Sequence, residues 1–485
     1  MNLTTSWGKT VDVVVIGYGG AGAAAAIAAH DAGAATVILE STDRGGGNTL
    51  VSFGGFISHD NAQKALEYFT ALFEYSVSER DDRLLRVFIE EMATARDWLK
   101  RLHPEVQFLA YGGASYPQLP GAEAIKRYVV KGKNTGATAF AQNLWQLLSH
   151  AVEHQRKIQV LTRTPAKRLV TGSNGEVIGV IAQSEDREIA IEARRGVILA
   201  CGGYETDPLI LRNSIKGSPV YSLGHPGNRG DGVRMAQKVG AALWHMNGVS
   251  CAFGLKVPEF APALLMSIGD TGQIFIDRKG KRFINESDIE RHAALLAVDH
   301  FDSHLLAYPR IPFYLIFDDK TRKRGPLSRS AGLGSAGSRY SWSRDNRKEI
   351  DNGWIVQAKT VAELAGKLGI PGLNLNETIE QWNSSVLAGE DRLFGREMLK
   401  ERDLAKIDTG PFYAVEIYPA LINTQGGPKR NERAEIVDPF GEPIPGLYGA
   451  GELGSLWGFI YQGGGNIAEC LAFGRIAGVN AAAGK

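Results

Sequence analysis

Hydrophobic and polar positions along the chain change their rhythm several times. Val11-Asp-Val-Val-Val-Ile16 is a short β-branched run, the pattern of a strand buried on both faces. Ala21 to Ala32 follows, rich in alanine and ending near Gly33, which predicts a helix. Thr36-Val-Ile-Leu-Glu40 is the next strand, so the chain opens with a βαβ unit. Residues Ala62 to Leu102 read as helical, Lys157 to Gly179 holds two strand-like runs, and Gly196-Val-Ile-Leu-Ala200 is a buried strand closed by Cys201-Gly-Gly203. From about 248 to 415 the βαβ rhythm is lost. Short strands, charged turns and helices mix there, as in an inserted lobe. Pro445 to Glu452 returns to a buried strand and a glycine turn, and Ile467 to Ala483 has the repeat of a closing helix. The expected architecture is α/β: a Rossmann-type domain built from residues 1–247 and 416–485, with an α+β capping domain at 248–415.

Composition narrows the class. At 485 residues the chain is too long for one compact core. A net charge of +1 calls for neither nucleic acid nor an anionic membrane surface. The first apolar segment is too short to span a bilayer, and no basic stretch with an apolar signal core precedes it, so the sequence reads as cytoplasmic with no membrane span. Cys201, Cys251 and Cys470 are scattered; they form no disulfide framework, metal set, haem motif or iron–sulfur run. The 58 glycines are in excess and clustered, which points to tight turns and close backbone approach.

One cluster carries chemistry. Gly17-Tyr-Gly19-Gly20-Ala21-Gly22 sits between strand and helix. Gly17 permits the sharp turn, Gly19 lets the backbone approach a pyrophosphate, and Gly22 lets the helix pack on the strand. The helix N-terminus offers N–H groups to phosphates, and Glu40, ending the second strand, suits a ribose hydroxyl. These features fit NAD and FAD alike. Further segments separate them: Gly46-Gly-Asn-Thr-Leu-Val-Ser-Phe-Gly-Gly55, Ala200-Cys-Gly-Gly203, Gly230-Asp-Gly232, Arg282-Phe-Ile-Asn-Glu286, Thr424-Gln-Gly-Gly427, Gly449-Ala-Gly-Glu452, Gly463-Gly-Gly-Asn466 and Phe473-Gly-Arg475-Ile-Ala-Gly478. In their number and order the chain resembles the fumarate reductase, succinate dehydrogenase and 3-ketosteroid dehydrogenase flavoprotein superfamily over essentially its whole length. The resemblance implies FAD. It places Gly46, Gly47, Asn48 and Thr49 around the pyrophosphate and ribityl chain, Asp231 near the flavin ring, and Glu452 on the ribityl hydroxyls. It adds Gly20, Ala21, Ser41, Gly54, Gly55, Ala166, Gly202, Gly451, Gly465, Asn466 and Ile467 to the cofactor set. Succinate dehydrogenase flavoproteins join FAD covalently through a histidine. Asn48 stands at that position here, and an amide is no such nucleophile, so FAD is expected to be non-covalent.

The same resemblance locates the chemistry just before the closing helix. Fumarate reductases clamp a substrate carboxylate there with arginine. This chain has Ile460-Tyr-Gln-Gly-Gly-Gly-Asn466, closer to the ketosteroid dehydrogenase stretch in which a tyrosine and a glycine N–H polarise a ketone. Those roles fall on Tyr461 and Gly465. The family's proton carrier lies four residues after the Asn-Glu pair, which gives Glu290; a one-residue slip gives Arg291, and His292 is a third candidate with a near-neutral reference pKa. A second fumarate-reductase position, a histidine before the Thr-x-Gly-Gly turn, is Asn423. Lys429, Arg430, Arg291 and His292 are expected to keep the cleft cationic, which suits a substrate with a ketone and one carboxylate, as in sister enzymes acting on 4-oxocyclohexanecarboxylate. The expected reaction is desaturation next to the carbonyl of a cyclic ketone, whether such a keto acid or a 3-ketosteroid. The alternatives are a fumarate-reductase-like enzyme reducing an activated C=C, and a non-catalytic flavin-binding electron-transfer subunit. The partners implied are a small ketone or enoate and an electron acceptor of unassigned identity.

Overall fold

The computed structural model describes residues 6–134, 136, 138–185, 187–266, 272–328, 332–397 and 405–484. They form two compact units. The first comprises the described residues of Met1–Ile215, Gly224–Ser250 and Asn423–Lys485; the second comprises those of Lys216–Leu223 and Cys251–Ile422.

In the first unit, strand β1 (Lys9–Ile16), helix α1 (Gly20–Asp31) and strand β2 (Thr36–Leu39) make the opening βαβ unit, with β1 and β2 parallel from Val13 opposite Thr36 to Ile16 opposite Leu39. Alternation explains why β1 is apolar throughout. Val13 and Val15 enter one core with α1 and the closing helix, while Val11, Val14 and Ile16 enter a second core on the other face. The sheet runs in the order Glu435–Val437, Pro443–Gly449, Arg187–Leu199, β1, β2, Gln159–Leu161, and an antiparallel pair, Ala166–Thr171 and Val177–Ser184, extends from Arg187–Leu199. The alanine run of α1 has a packing reason. A Cβ on Gly474 would lie 2.7 Å from the Ala21 carbonyl oxygen, and one on Gly478 would lie 2.3 Å from that of Ala25. Helix α1 and the closing helix Gly465–Ala483 therefore touch through backbone, which only small residues allow.

Two local expectations need correction. The helical run from Ala62 to Leu102 is broken into Ala62–Ser76 and Asp82–Leu102. Val77 ends the first at φ +51, and the Asp81 carboxylate caps the second by accepting from the N–H groups of Arg83 and Leu84. The strand expected at Gly196–Ala200 begins at Arg187, because its first half pairs with Val177–Ser184. A small antiparallel sheet completes the unit, with Ile125–Lys131 between Phe56–His59 and Gln107–Gly112.

The second unit is built on a mostly antiparallel sheet ordered Leu264–Leu265, Val249–Leu255, Phe412–Thr424, Phe313–Asp318, Gln273–Ile276. Helices Val361–Leu368 and Gly372–Ala388 cover its core through Leu364, Ile379 and Trp382. Lys216–Leu223 belongs here and not with the first unit, because Tyr221 and Ser222 pair with Ala420 and Leu421. No helix among the described residues is long and apolar enough to cross a membrane.

Candidate cofactor and active site

The glycines of the opening turn are held by different constraints. Gly17 has φ +101, and a Cβ there would lie 2.4 Å from the Ala200 carbonyl oxygen; on Gly22 it would lie 1.9 Å from that of Gly17. Gly19 differs. Its nearest neighbour would be the Gly46 oxygen at 3.7 Å, so the protein leaves that side open. Gly19 bridges to Gly46, whose N–H donates to the Tyr18 carbonyl at 2.7 Å, and the Gly20 N–H donates to Thr49 Oγ1 at 3.0 Å. Gly47 starts the short helix Gly47–Val51, and Ala21 packs under Gly451. Gly19, at the N-cap of α1, has no side chain to cap the helix, and Thr49 takes the N–H of Gly20.

The Glu40 carboxylate ties this loop together. Oε2 accepts from the Tyr18 N–H at 3.0 Å; Oε1 accepts from the Thr42 N–H and hydroxyl at 2.8 Å and from Ser41 Oγ at 3.3 Å. Ala166 opens its strand close by, two residues after Thr164, whose N–H donates to the Glu40 carbonyl. Gly54, at φ +81, abuts the Ala141 N–H, and a Cβ on Gly55 would meet the Tyr111 hydroxyl at 2.0 Å. Gly202, at φ +72, lies against the Asn228 amide. Asp231 starts helix Asp231–Lys238; burial, aided by its charge, pushes the Cys201 thiol up to about 12.

Asn48 has a role that the sequence did not suggest. Its Nδ2 donates to Glu205 Oε1 and to Glu452 Oε2, both at 2.8 Å, while its Oδ1 accepts from the His225 N–H at 2.7 Å. One amide thus brackets two carboxylates. Glu205 is buried; it accepts a further bond from Asn228 Nδ2 at 2.7 Å, and its Oε2 has no partner. Burial raises both carboxyls above the ordinary glutamate range, and the charge of Glu205 raises Glu452 further. Glu205 escaped sequence reading. Its one signal is an acid two residues beyond the Gly-Gly turn that ends a buried strand.

The closing turn places Tyr461 at the mouth of the last helix. Its hydroxyl oxygen accepts from the Asn466 N–H at 3.1 Å, and its ring meets Trp457 edge-on. Burial pushes the hydroxyl well above the ordinary tyrosine range. Asn466 is buried, and its side chain acts on the Glu452 carboxyl, opposing the rise that burial causes there. Ile467 follows in the same helical turn. Gly465 departs from expectation: its N–H donates to the Gln462 carbonyl at 2.9 Å, closing the turn, and is committed there. Gln462 is also committed. Its Oε1 accepts from Tyr68 and from the Ser115 N–H, and its Nε2 donates to the Gly463 carbonyl. The expected cations are corrected too. Arg430 is fully buried and paired with Glu469, with further bonds to the Gly451 and Leu453 carbonyls, and Lys429 pairs with Glu79. Asn423 is buried, with its Nδ2 on the Thr424 carbonyl.

An open face at Gly19, the N-terminus of α1 beside it, and a buried Glu205 oxygen without a donor among the described residues together describe a cradle for an extended, hydroxyl-bearing dinucleotide. Residues 12–467 match the FAD binding domain family. The chain belongs to this family. It is an FAD-dependent oxidoreductase acting on CH–CH groups. This flavoenzyme is 29% identical to the fumarate reductase (cytochrome) of Shewanella frigidimarina, over 98% of this chain and 77% of that protein. It is 27% identical to the 4-oxocyclohexanecarboxylate 2-dehydrogenase of Sinomonas cyclohexanicum, over 97% and 92%. Its fold matches the crystal structure of 3-ketosteroid delta1-dehydrogenase from Sterolibacterium denitrificans in complex with 1,4-androstadiene-3,17-dione. The TM-score is 0.84, at 22% identity, over 98% of this chain and 100% of that one.

In the second unit of the flavoenzyme, the Arg-Phe-x-Asn-Glu segment is an anchor. The Arg282 guanidinium donates to Glu286 and Asp391, Arg396 donates to Glu286, and all four side chains are buried. This network fixes the turn that follows. There Glu290 Oε2 accepts from the His292 N–H at 2.6 Å, and Oε1 lies 2.9 Å from His292 Nδ1. Arg291 between them is exposed. The three candidates therefore separate into a carboxylate–imidazole couple and an outward arginine.

Proposed function

We propose that the enzyme desaturates a cyclic ketone next to its carbonyl, with Tyr461 donating a hydrogen bond to that carbonyl. The observation that carries this reading is the pairing of Tyr461 with the closing helix. The hydroxyl accepts a helix N–H at 3.1 Å, which makes it a stronger donor toward a developing enolate. The turn offers no arginine for a second carboxylate, and Gln462 is locked into the turn. Proton transfer is assigned to the couple of Glu290 and His292, 2.9 Å apart. FAD, when bound, would supply the hydride acceptor for the neighbouring carbon. Gly17 to Gly22, Glu40, Gly46 to Thr49, Glu452 and Asn466 would hold it, with Gly54, Gly55, Ala166, Gly202, Asp231, Gly451 and Ile467 shaping the same cradle. Resemblance to the 4-oxocyclohexanecarboxylate enzyme supports the ketone.

A second reading is reduction of an activated C=C, supported by the 29% identity to a fumarate reductase. It would use Arg291 as the proton donor. Incubation with cyclic ketones and a dye acceptor separates the two. The desaturase gives a product lighter by two hydrogens; dye reduction without an enone product contradicts it.

A further inference from the structure

With Lys429 and Arg430 engaged elsewhere, a cation linked to the closing turn is Arg127, which carries no sequence motif. Arg127 lies on the central strand of the small antiparallel sheet, opposite Ile57, whose N–H donates to the Gly464 carbonyl of the turn. Arg127 Nη2 donates to Ser115 Oγ at 2.6 Å, and the same oxygen accepts from the Gly463 N–H at 3.0 Å. One serine thus ties the guanidinium to the turn that carries Tyr461. Arg127 Nε is buried with no acceptor, and no carboxylate pairs with this arginine among the described residues. A buried guanidinium N–H without an acceptor is costly and calls for a ligand to supply one. Burial raises the hydroxyls of Tyr111 and Tyr461, and the Arg127 charge opposes both shifts, so arginine and tyrosines share one neighbourhood. Beside them Phe53 meets Tyr111 at 5.3 Å and Phe140 at 5.4 Å, edge-on. Phe53 and Tyr111 remain 40% and 39% exposed.

We propose that Arg127 recognises a carboxylate on the substrate, and that the substrate is a small cyclic keto acid whose ring lies on Phe53 and Tyr111. The proposal rests on the ketone reading and adds the acid group and the residue that selects it. A guanidinium fork suits a carboxylate bidentately, which a neutral ring system does not exploit.

The test compares cyclohexanecarboxylate with its neutral amide as unreactive probes, titrated into the FAD-loaded enzyme and read by the flavin absorbance shift. Wild type is expected to bind the acid at least roughly tenfold more tightly than the amide. Arg127→Gln should remove that preference by weakening the acid roughly 10- to 100-fold, with amide binding and flavin content unchanged, and Arg127→Lys should keep part of it. Equal binding of acid and amide to wild type, or an acid preference that survives in Arg127→Gln, overturns the proposal. Loss of flavin in both variants also overturns it, by moving Arg127 to the cofactor. Binding needs no turnover. An acid preference in an enzyme that oxidises no ketone therefore upholds Arg127 and refutes the desaturase reading alone.

Discussion

Glu205→Gln should flatten the fall of stability with rising pH. Glu205 and Glu452 accept from the same Asn48 amide at 2.8 Å, and among the described residues Glu205 Oε2 has no donor. Burial first, and for Glu452 the charge of its neighbour, raises both carboxyls above their unfolded values. The folded protein thus binds more protons than the unfolded chain between the two sets of values. By linkage its stability is full below the unfolded pKa, near pH 4.3, and is lost as pH rises through the raised ones. Glutamine keeps the oxygen that accepts from Asn48 and Asn228 but cannot ionise. Ionising a buried carboxyl with one oxygen lacking a donor costs about 1–3 kcal/mol, so wild type should lose about that much more than Glu205→Gln between about pH 5 and about pH 8. Urea unfolding at those pH values, followed by tryptophan fluorescence, measures the difference. Parallel pH profiles for the two proteins would refute the shared-proton argument.

Tyr461→Phe should keep FAD and slow flavin reduction by substrate about 100- to 1,000-fold in stopped-flow absorbance; a wild-type rate would leave Tyr461 a packing residue. Acid or heat should release the FAD, because Asn48 occupies the covalent position and its nitrogen is hydrogen-bonded to two carboxylates; yellow colour that stays with the precipitate would contradict this. Glu290→Gln should abolish ketone oxidation while Arg291→Gln leaves it near normal in steady-state assays, and the opposite pattern would support C=C reduction.

What the sequence made legible is what backbone geometry demands. The βαβ unit shows because β1 must be apolar on both faces, and Gly17 and Gly22 show because any Cβ would strike backbone. The rest depends on partners distant in the chain. Glu205 reads as an ordinary turn acid until Asn48 is brought to it from 157 residues away. Lys429 and Arg430 read as cations of the cleft until Glu79 and Glu469 are found to hold them. Arg127 sits in Ile125-Lys-Arg-Tyr-Val-Val-Lys131, a stretch with no motif, and only Ser115 reveals its direction. Gly465 matched a family pattern, yet the turn had already used its N–H.

The central claim is tested most directly by mixing the oxidised enzyme anaerobically with cyclic ketones, keto acids and saturated dicarboxylates while watching the flavin band. The account predicts bleaching by a cyclic ketone bearing a carboxylate, with the matching enone recovered. Bleaching by none of the ketones, together with reoxidation of the pre-reduced enzyme by an enoate, would contradict it.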